Sequence, residues 1–196
     1  MKDQNLENLI KLCQAGNRQA FATLVKTYQQ LVFNLLYRLV PREWDVEDIA
    51  QEVWIKIYQS LNALKNVASF RSWLYRVTVN TYYDRMRQKG LKVEVSLDEP
   101  FETEEGEGVR FPLVDQGMLP EEILLEKEWQ VYLEKIIQDL PEQYKIVIIM
   151  REIDGLSYEE ISTALDISLG TVKSRIARAR EKLIEDLSKY FQEVKR

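Results

Sequence analysis

Apolar positions recur at helical spacing along most of this chain, with one long interruption near the middle. Phe21, Leu24, Val25, Tyr28, Leu31, Val32, Leu35, Leu36 and Leu39 fall three or four residues apart and line one stripe of a long helix. Pro41 closes that helix, because proline drives the residue before it out of helical geometry. A second helix is predicted over residues 45–61, buried through Val46, Ile49, Val53, Ile57 and Leu61. After the loop 62–69, a third runs from Phe70 to Arg87, and neither proline nor glycine occurs between Glu43 and Lys89. Residues 1–90 therefore read as helical throughout.

From Gly90 to Pro120 the helical period is lost, and glycine, proline and acidic residues take over. Such a stretch cannot bury enough apolar surface to order itself, so 91–120 is expected to be a flexible acidic linker. Helical pattern resumes over 119–140, breaks at Leu140-Pro141, and continues to a stop at Gly155. Two further helices follow, 157–165 and 168–191, separated by the turn Asp166-Ile167. The expected fold class is all-α: two small helical domains, 1–90 and 121–196, joined by the linker, the second carrying a helix-turn-helix.

The helix-turn-helix rests on local chemistry. Ser157 and Glu160 form an S-x-x-E capping box, which starts a short helix, and Ser168 can cap the next one through its hydroxyl. A short helix, a tight turn and a longer basic helix describe this motif. On a helical wheel Leu169, Val172, Ile176, Ala179 and Leu183 share the packing side. Gly170, Ser174, Ala177, Arg178 and Glu181 lie opposite, flanked by Lys173, Arg175, Arg180 and Lys182. A small polar centre with basic edges suits the major groove, with Ser174 and Arg178 reaching bases and the flanking cations on phosphates. A solvated basic face on an ordinary bundle helix is the competing reading of the same pattern.

Charge at first argues against a nucleic-acid partner, since the formal net charge is −5. Its distribution reverses that argument. Residues 1–90 hold 13 Lys+Arg against 8 Asp+Glu, while 91–122 hold 2 against 10. Local fields decide docking, and basic surfaces lie on both sides of the acidic segment. The third helix interleaves Phe70, Trp73, Tyr75, Tyr82 and Tyr83 with Arg71, Arg76, Arg85 and Arg87, a composition that suits unpaired bases.

Other classes of function drop out. With no histidine and one cysteine, a Cys/His zinc site and a histidine base are both excluded, and no metal or cofactor is expected. Cys13 cannot form an internal disulfide, which suits a reducing cytoplasm, and it reads as a core residue. No apolar run approaches the ~20 residues of a membrane helix, so no membrane insertion is expected, and the first residues lack a signal-peptide pattern. A hydrolase built on the carboxylates of 45–52 fails on context: they share an exposed helix face with no nucleophile, metal cage or phosphate loop.

Two segments carry a family resemblance. Leu140-Pro141, Arg151-Glu152, DGLSYEEIS and SLGTVKSRIARAREKL resemble the C-terminal domain of extracytoplasmic-function (group IV) sigma factors. Asp45 to Val53 resembles the D-x-E-D-x-x-Q-E-V signature of their first domain. The resemblance implies a non-enzymatic subunit that directs core RNA polymerase to promoters, without a small-molecule substrate. It implies that Thr171, Lys173, Ser174, Arg175, Ala177 and Arg178 serve minus-thirty-five recognition. It implies minus-ten capture and melting by Lys65, Asn66, Arg71, Tyr75, Arg76, Asn80 and Tyr83, with Asn80 the leading base contact. It implies docking of Asp48, Gln51, Glu52 and Ile55 on the beta-prime clamp helices, with the beta flap a second polymerase contact, and an anti-sigma factor as inhibitor. A stand-alone helix-turn-helix regulator is the competing class, and it predicts tight operator binding without polymerase.

Overall fold

The computed structural model describes residues 2–91, 129 and 131–194; among them it contains helices and turns and no strand. The chain divides into two compact units, 1–93 with 162–166 and 94–161 with 167–196. The expected linker lies outside the described residues apart from Leu91, as does the first part of the helix expected over 119–140.

In the first unit, α1 is Lys2–Gln14, α2 Arg18–Leu39, α3 Val46–Ser60 and α4 Phe70–Gln88. The α1–α2 junction was not legible as a break in periodicity. Gly16 supplies it with φ +82, a conformation that costs glycine little. Asn17 then caps α2 by accepting from the Ala20 amide at 3.0 Å. Helix α2 ends at Leu39, two residues before Pro41, as expected. Asp45 caps α3 by accepting from the Glu47 and Asp48 amides. Ile10, Leu24, Leu35, Leu36, Ile49, Val53, Ile57, Phe70 and Leu74 form the core, and Cys13 is buried among them. Burial pushes the Cys13 thiol up, which disfavours the thiolate.

Helix α4 buries three serine and threonine side chains, Ser72, Thr78 and Thr81, alongside Leu74, Val79 and Tyr82. Thr78 Oγ1 donates to the Leu74 carbonyl at 2.9 Å and Thr81 Oγ1 to Val77 at 2.8 Å. The helix thus satisfies the two threonine hydroxyls with its own backbone and packs on much of its circumference.

In the second unit, residues 129 and 131–138 form the described part of α5. Helix α6, Glu142–Ile148, is buried from Gln143 onward and continues into a π turn, Ile149–Ile153. That turn was not anticipated; its bond runs from the Asp154 amide to the Ile149 carbonyl at 3.0 Å. Gly155, with φ +68, ends it. Helix α7, Tyr158–Leu165, begins in this unit, and α8, Leu169–Val194, completes it. Both expected caps form. Ser157 Oγ accepts from the Glu160 amide (3.1 Å) while Glu160 accepts from the Ser157 amide (2.8 Å). Ser168 Oγ accepts from the Thr171 amide at 3.0 Å, and each such cap contributes about 1 kcal/mol. Asp166 takes φ +57 in the turn between α7 and α8, a left-handed position that aspartate tolerates better than most residues. Val172, Ile176, Ala179 and Leu183 pack α8 inward, and α6 is its main neighbour. Among the described residues no helix is long and apolar enough to cross a membrane.

Candidate nucleic-acid and partner interfaces

Helix α8 exposes Gly170 and Lys173, and leaves Thr171, Ala177 and Arg178 half-buried. Ser174 departs from the expectation. It is 0% exposed, and its hydroxyl donates back to the Thr171 carbonyl at 3.0 Å, so it does not face an open groove surface. Arg175 is 7% exposed and likewise belongs to the interior in this structure. Arg180, expected among the phosphate-facing cations, instead donates to Glu152 from Nη2 at 2.6 Å and Nε at 3.2 Å. The wheel was right about Val172, Ile176, Ala179 and Leu183 in the packing stripe. Leu169, expected there too, is 43% exposed at the start of the helix, and the wheel was wrong about these three positions as well. A period reports which residues share a side; it is blind to partners from elsewhere in the chain.

Around α4 the structure sorts the aromatics. Phe70, Tyr75 and Tyr82 are buried and hold the helix in its unit, which removes them from any stacking surface. Tyr75, 1% exposed, has the Arg71 guanidinium 5.9 Å from its ring centroid. Asn80 and Arg71 are exposed, and Arg76, Tyr83 and Trp73 are half-buried. In the preceding loop Lys65 and Asn66 are exposed. The Asn66 side-chain oxygen accepts from the Ala68 amide at 3.0 Å and thereby shapes the 3-10 turn Val67–Ser69.

On α3, Asp48, Gln51 and Ile55 are exposed, Ile55 by 57%. Tyr58, not singled out from sequence, lies three residues on and is 54% exposed. Its ring meets Phe21 edge-on at 5.0 Å, so an aromatic shelf borders the acidic positions. Its i+3 spacing from Ile55, off the buried stripe, was the available signal. Glu52 is the exception on this face. It accepts from Arg85 Nε at 2.7 Å and pairs with Lys56 at 3.1 Å, so it is turned toward α4.

Lys56 also reaches Asp84 at 2.8 Å, and Asp84 pairs with Arg87 as well. The hydrogen bond from Lys56 holds the Asp84 carboxyl below its usual range. Burial alone would lower Lys56, but its bonds to Asp84 and Glu52 outweigh that and hold the ammonium above its usual value. Asp84 therefore adds stability in full above the ordinary carboxylate range, and the gain fades as pH falls through its lower folded value. Lys56 acts with the opposite sign, its contribution being lost only as pH rises through its raised value. Asp84→Asn is expected to narrow its stability deficit against the parent chain as the pH falls from about 7 to 3, read by urea unfolding. A deficit constant across that range would remove the linkage.

A helical domain with an aromatic and basic helix, followed by a helix-turn-helix domain, defines a DNA-binding transcription protein. Comparison with known proteins carries this further. Residues 24–91 match the family Sigma-70 region 2, and residues 130–183 match Sigma-70, region 4. The chain is 36% identical over 182 residues to the ECF RNA polymerase sigma factor SigW of Bacillus subtilis, covering 93% of this chain and 96% of that protein. It is 38% identical over 173 residues to the ECF RNA polymerase sigma-E factor of Escherichia coli K12, covering 88% and 89%. The chain belongs to the ECF RNA polymerase sigma factors and is a promoter-specific sigma factor. Similar folds include CnrH in complex with the cytosolic domain of CnrY, with TM-score 0.64, 21% identity and 92% and 96% of the two chains covered. Another is the sigma factor RpoE in complex with the anti-sigma factor NepR from Bartonella quintana, with TM-score 0.61, 23% identity and 86% and 96% covered.

Proposed function

We propose that the two domains divide promoter recognition between duplex and opened DNA, and that core polymerase supplies all the chemistry. The presence of both region matches in one chain, region 2 before region 4, is the observation that carries this reading. Upstream, α8 enters the major groove with Lys173 on phosphate and Thr171, Ala177 and Arg178 toward base edges. Downstream, Asn80 with Arg71, Arg76 and Tyr83, together with the Lys65–Asn66 loop, captures unpaired bases, since stacking and cationic contacts favour single strands. Exposed Ile55 and Tyr58, rimmed by Asp48 and Gln51, dock on the clamp helices of the beta-prime subunit. Removing apolar surface from water supplies affinity there and the acidic rim supplies orientation. An anti-sigma factor is the expected inhibitor, by analogy with the sigma factor and anti-sigma factor complex among the structural relatives.

In-vitro transcription with purified core polymerase and a genomic promoter library tests the reading. Absence of directed start sites at every salt concentration overturns it, and tight operator binding without polymerase favours the stand-alone regulator. Arg178→Ala is expected to reduce minus-thirty-five discrimination by about 1–3 kcal/mol, the value of one good bidentate base contact. Unchanged preference among upstream sequences removes that role. Asn80→Ala is expected to impair transcription from duplex promoters more than from pre-melted templates, and an equal loss on both removes the melting role.

A further inference from the structure

The π turn between α6 and α7 presents two adjacent side chains to two different helices. Arg151 Nη1 donates to the Leu156 carbonyl at 2.9 Å, and its guanidinium lies 4.7 Å from the ring centroid of Tyr158, the first residue of α7. Glu152 accepts two hydrogen bonds from Arg180, on the middle of α8, and the two charged side chains are only 11% and 16% exposed. Consecutive residues thus hold the start of the first helix of the motif and the body of the second.

A pair this dry is weak evidence of net stabilisation, because desolvation offsets most of the attraction. Its geometry is more informative. Two nitrogens of a planar guanidinium converge on one carboxylate oxygen, which restricts how α8 can rotate about its axis. Ala177 and Arg178 lie within one turn of Arg180 on that helix, so a rotation there displaces the proposed base contacts first.

We infer that Arg151 and Glu152 form a positioning pair for the recognition helix, and that Arg180 acts through Glu152 and does not contact phosphate. The inference rests on the reading of α8 as the duplex-binding helix. It makes the Arg-Glu dipeptide a determinant of promoter selectivity that never touches DNA.

The test uses the full chain in holoenzyme with core polymerase, and a promoter duplex recovered by selection with that holoenzyme. The readouts are the ratio of its affinity to that of a duplex with a scrambled upstream element, and the dependence of affinity on salt. Glu152→Gln and Arg180→Gln are each expected to lower the ratio roughly tenfold while leaving the salt slope unchanged. Exchange of the pair, Glu152→Arg with Arg180→Glu, is expected to restore most of the ratio. A salt slope reduced by about 0.9 in Arg180→Gln, the signature of one lost phosphate contact, overturns the inference. So does an exchange variant that melts like the parent chain yet stays unselective. Where Arg180→Gln unfolds, Arg180→Lys decides, because it keeps the charge and loses the fork: a lowered ratio supports positioning and an unchanged one overturns it. A parent holoenzyme indifferent to the upstream element removes the duplex-reading proposal itself, which is a separate outcome.

Discussion

Phe70→Ala is expected to lower the stability of the first unit by about 3–5 kcal/mol, the usual cost of deleting a fully buried phenylalanine. The ring is 0% exposed, edge-on to Tyr28 at 5.0 Å and 6.0 Å from Trp73. It is also the first residue of α4 and follows the 3-10 turn Val67–Ser69 directly. The cavity therefore opens where loop and helix meet, and neither neighbour can fill it without moving the other. Small domains have only ~5–15 kcal/mol in total, so a loss of this size brings the unit close to unfolding at ordinary temperature. Urea unfolding followed by tryptophan fluorescence reads it, because Trp44, Trp54 and Trp73 all belong to this unit. Phe70→Leu keeps most of the apolar volume and should lose far less. A deficit below about 1 kcal/mol for alanine would mean the site collapses freely and Phe70 is no anchor.

Ile176→Ala is the matching experiment in the second unit, with an expected loss of about 2–5 kcal/mol. Ile176 is 1% exposed in the stripe that packs α8 inward with Val172, Ala179 and Leu183. Lys173 is three residues earlier on the same helix and exposed, so Lys173→Ala should change stability by no more than ~0.5 kcal/mol. The two variants separate folding from binding on one helix: the first loses upstream recognition by unfolding its unit, the second with the fold intact. Hydrogen exchange along α8 distinguishes them, and equal protection in both variants would contradict the packing assigned to Ile176.

What the sequence revealed was local. The end of α2 before Pro41, the limits of α3 and α4, the stop at Gly155 and the Ser157–Glu160 box depend on neighbours within a few residues, and each appeared where its chemistry required. The break between α1 and α2 was hidden because both flanking helices continue a similar apolar pattern. The π turn was hidden because apolar residues from Ile146 to Met150 are buried on every side and leave no period to read. The site residues divide along the same line. Lys173, Asp48, Gln51 and Ile55 reach the surface as a wheel predicts, and Asn80, expected from the resemblance alone, is exposed too. Glu52 and Arg180 do not, because the partners that redirect them, Arg85 and Glu152, stand 33 and 28 residues away. Ser174 was misplaced for the opposite reason. Its partner is three residues back, and a hydroxyl that bonds its own helix needs no polar surroundings.

Gln14, at the last position of α1, joins two distant parts of the first unit. Its side-chain amide donates to the carbonyls of Leu61 and Leu64, at 3.0 and 3.1 Å, just before the loop that carries Lys65 and Asn66. One flexible amide thus works as a staple on two backbone acceptors just past α3, the Leu61 carbonyl also accepting from the Leu64 amide at 3.1 Å. The N-terminal helix is in this sense the far end of a lever on that loop. The backbone from which that loop departs is therefore held from α1 as well as from α3.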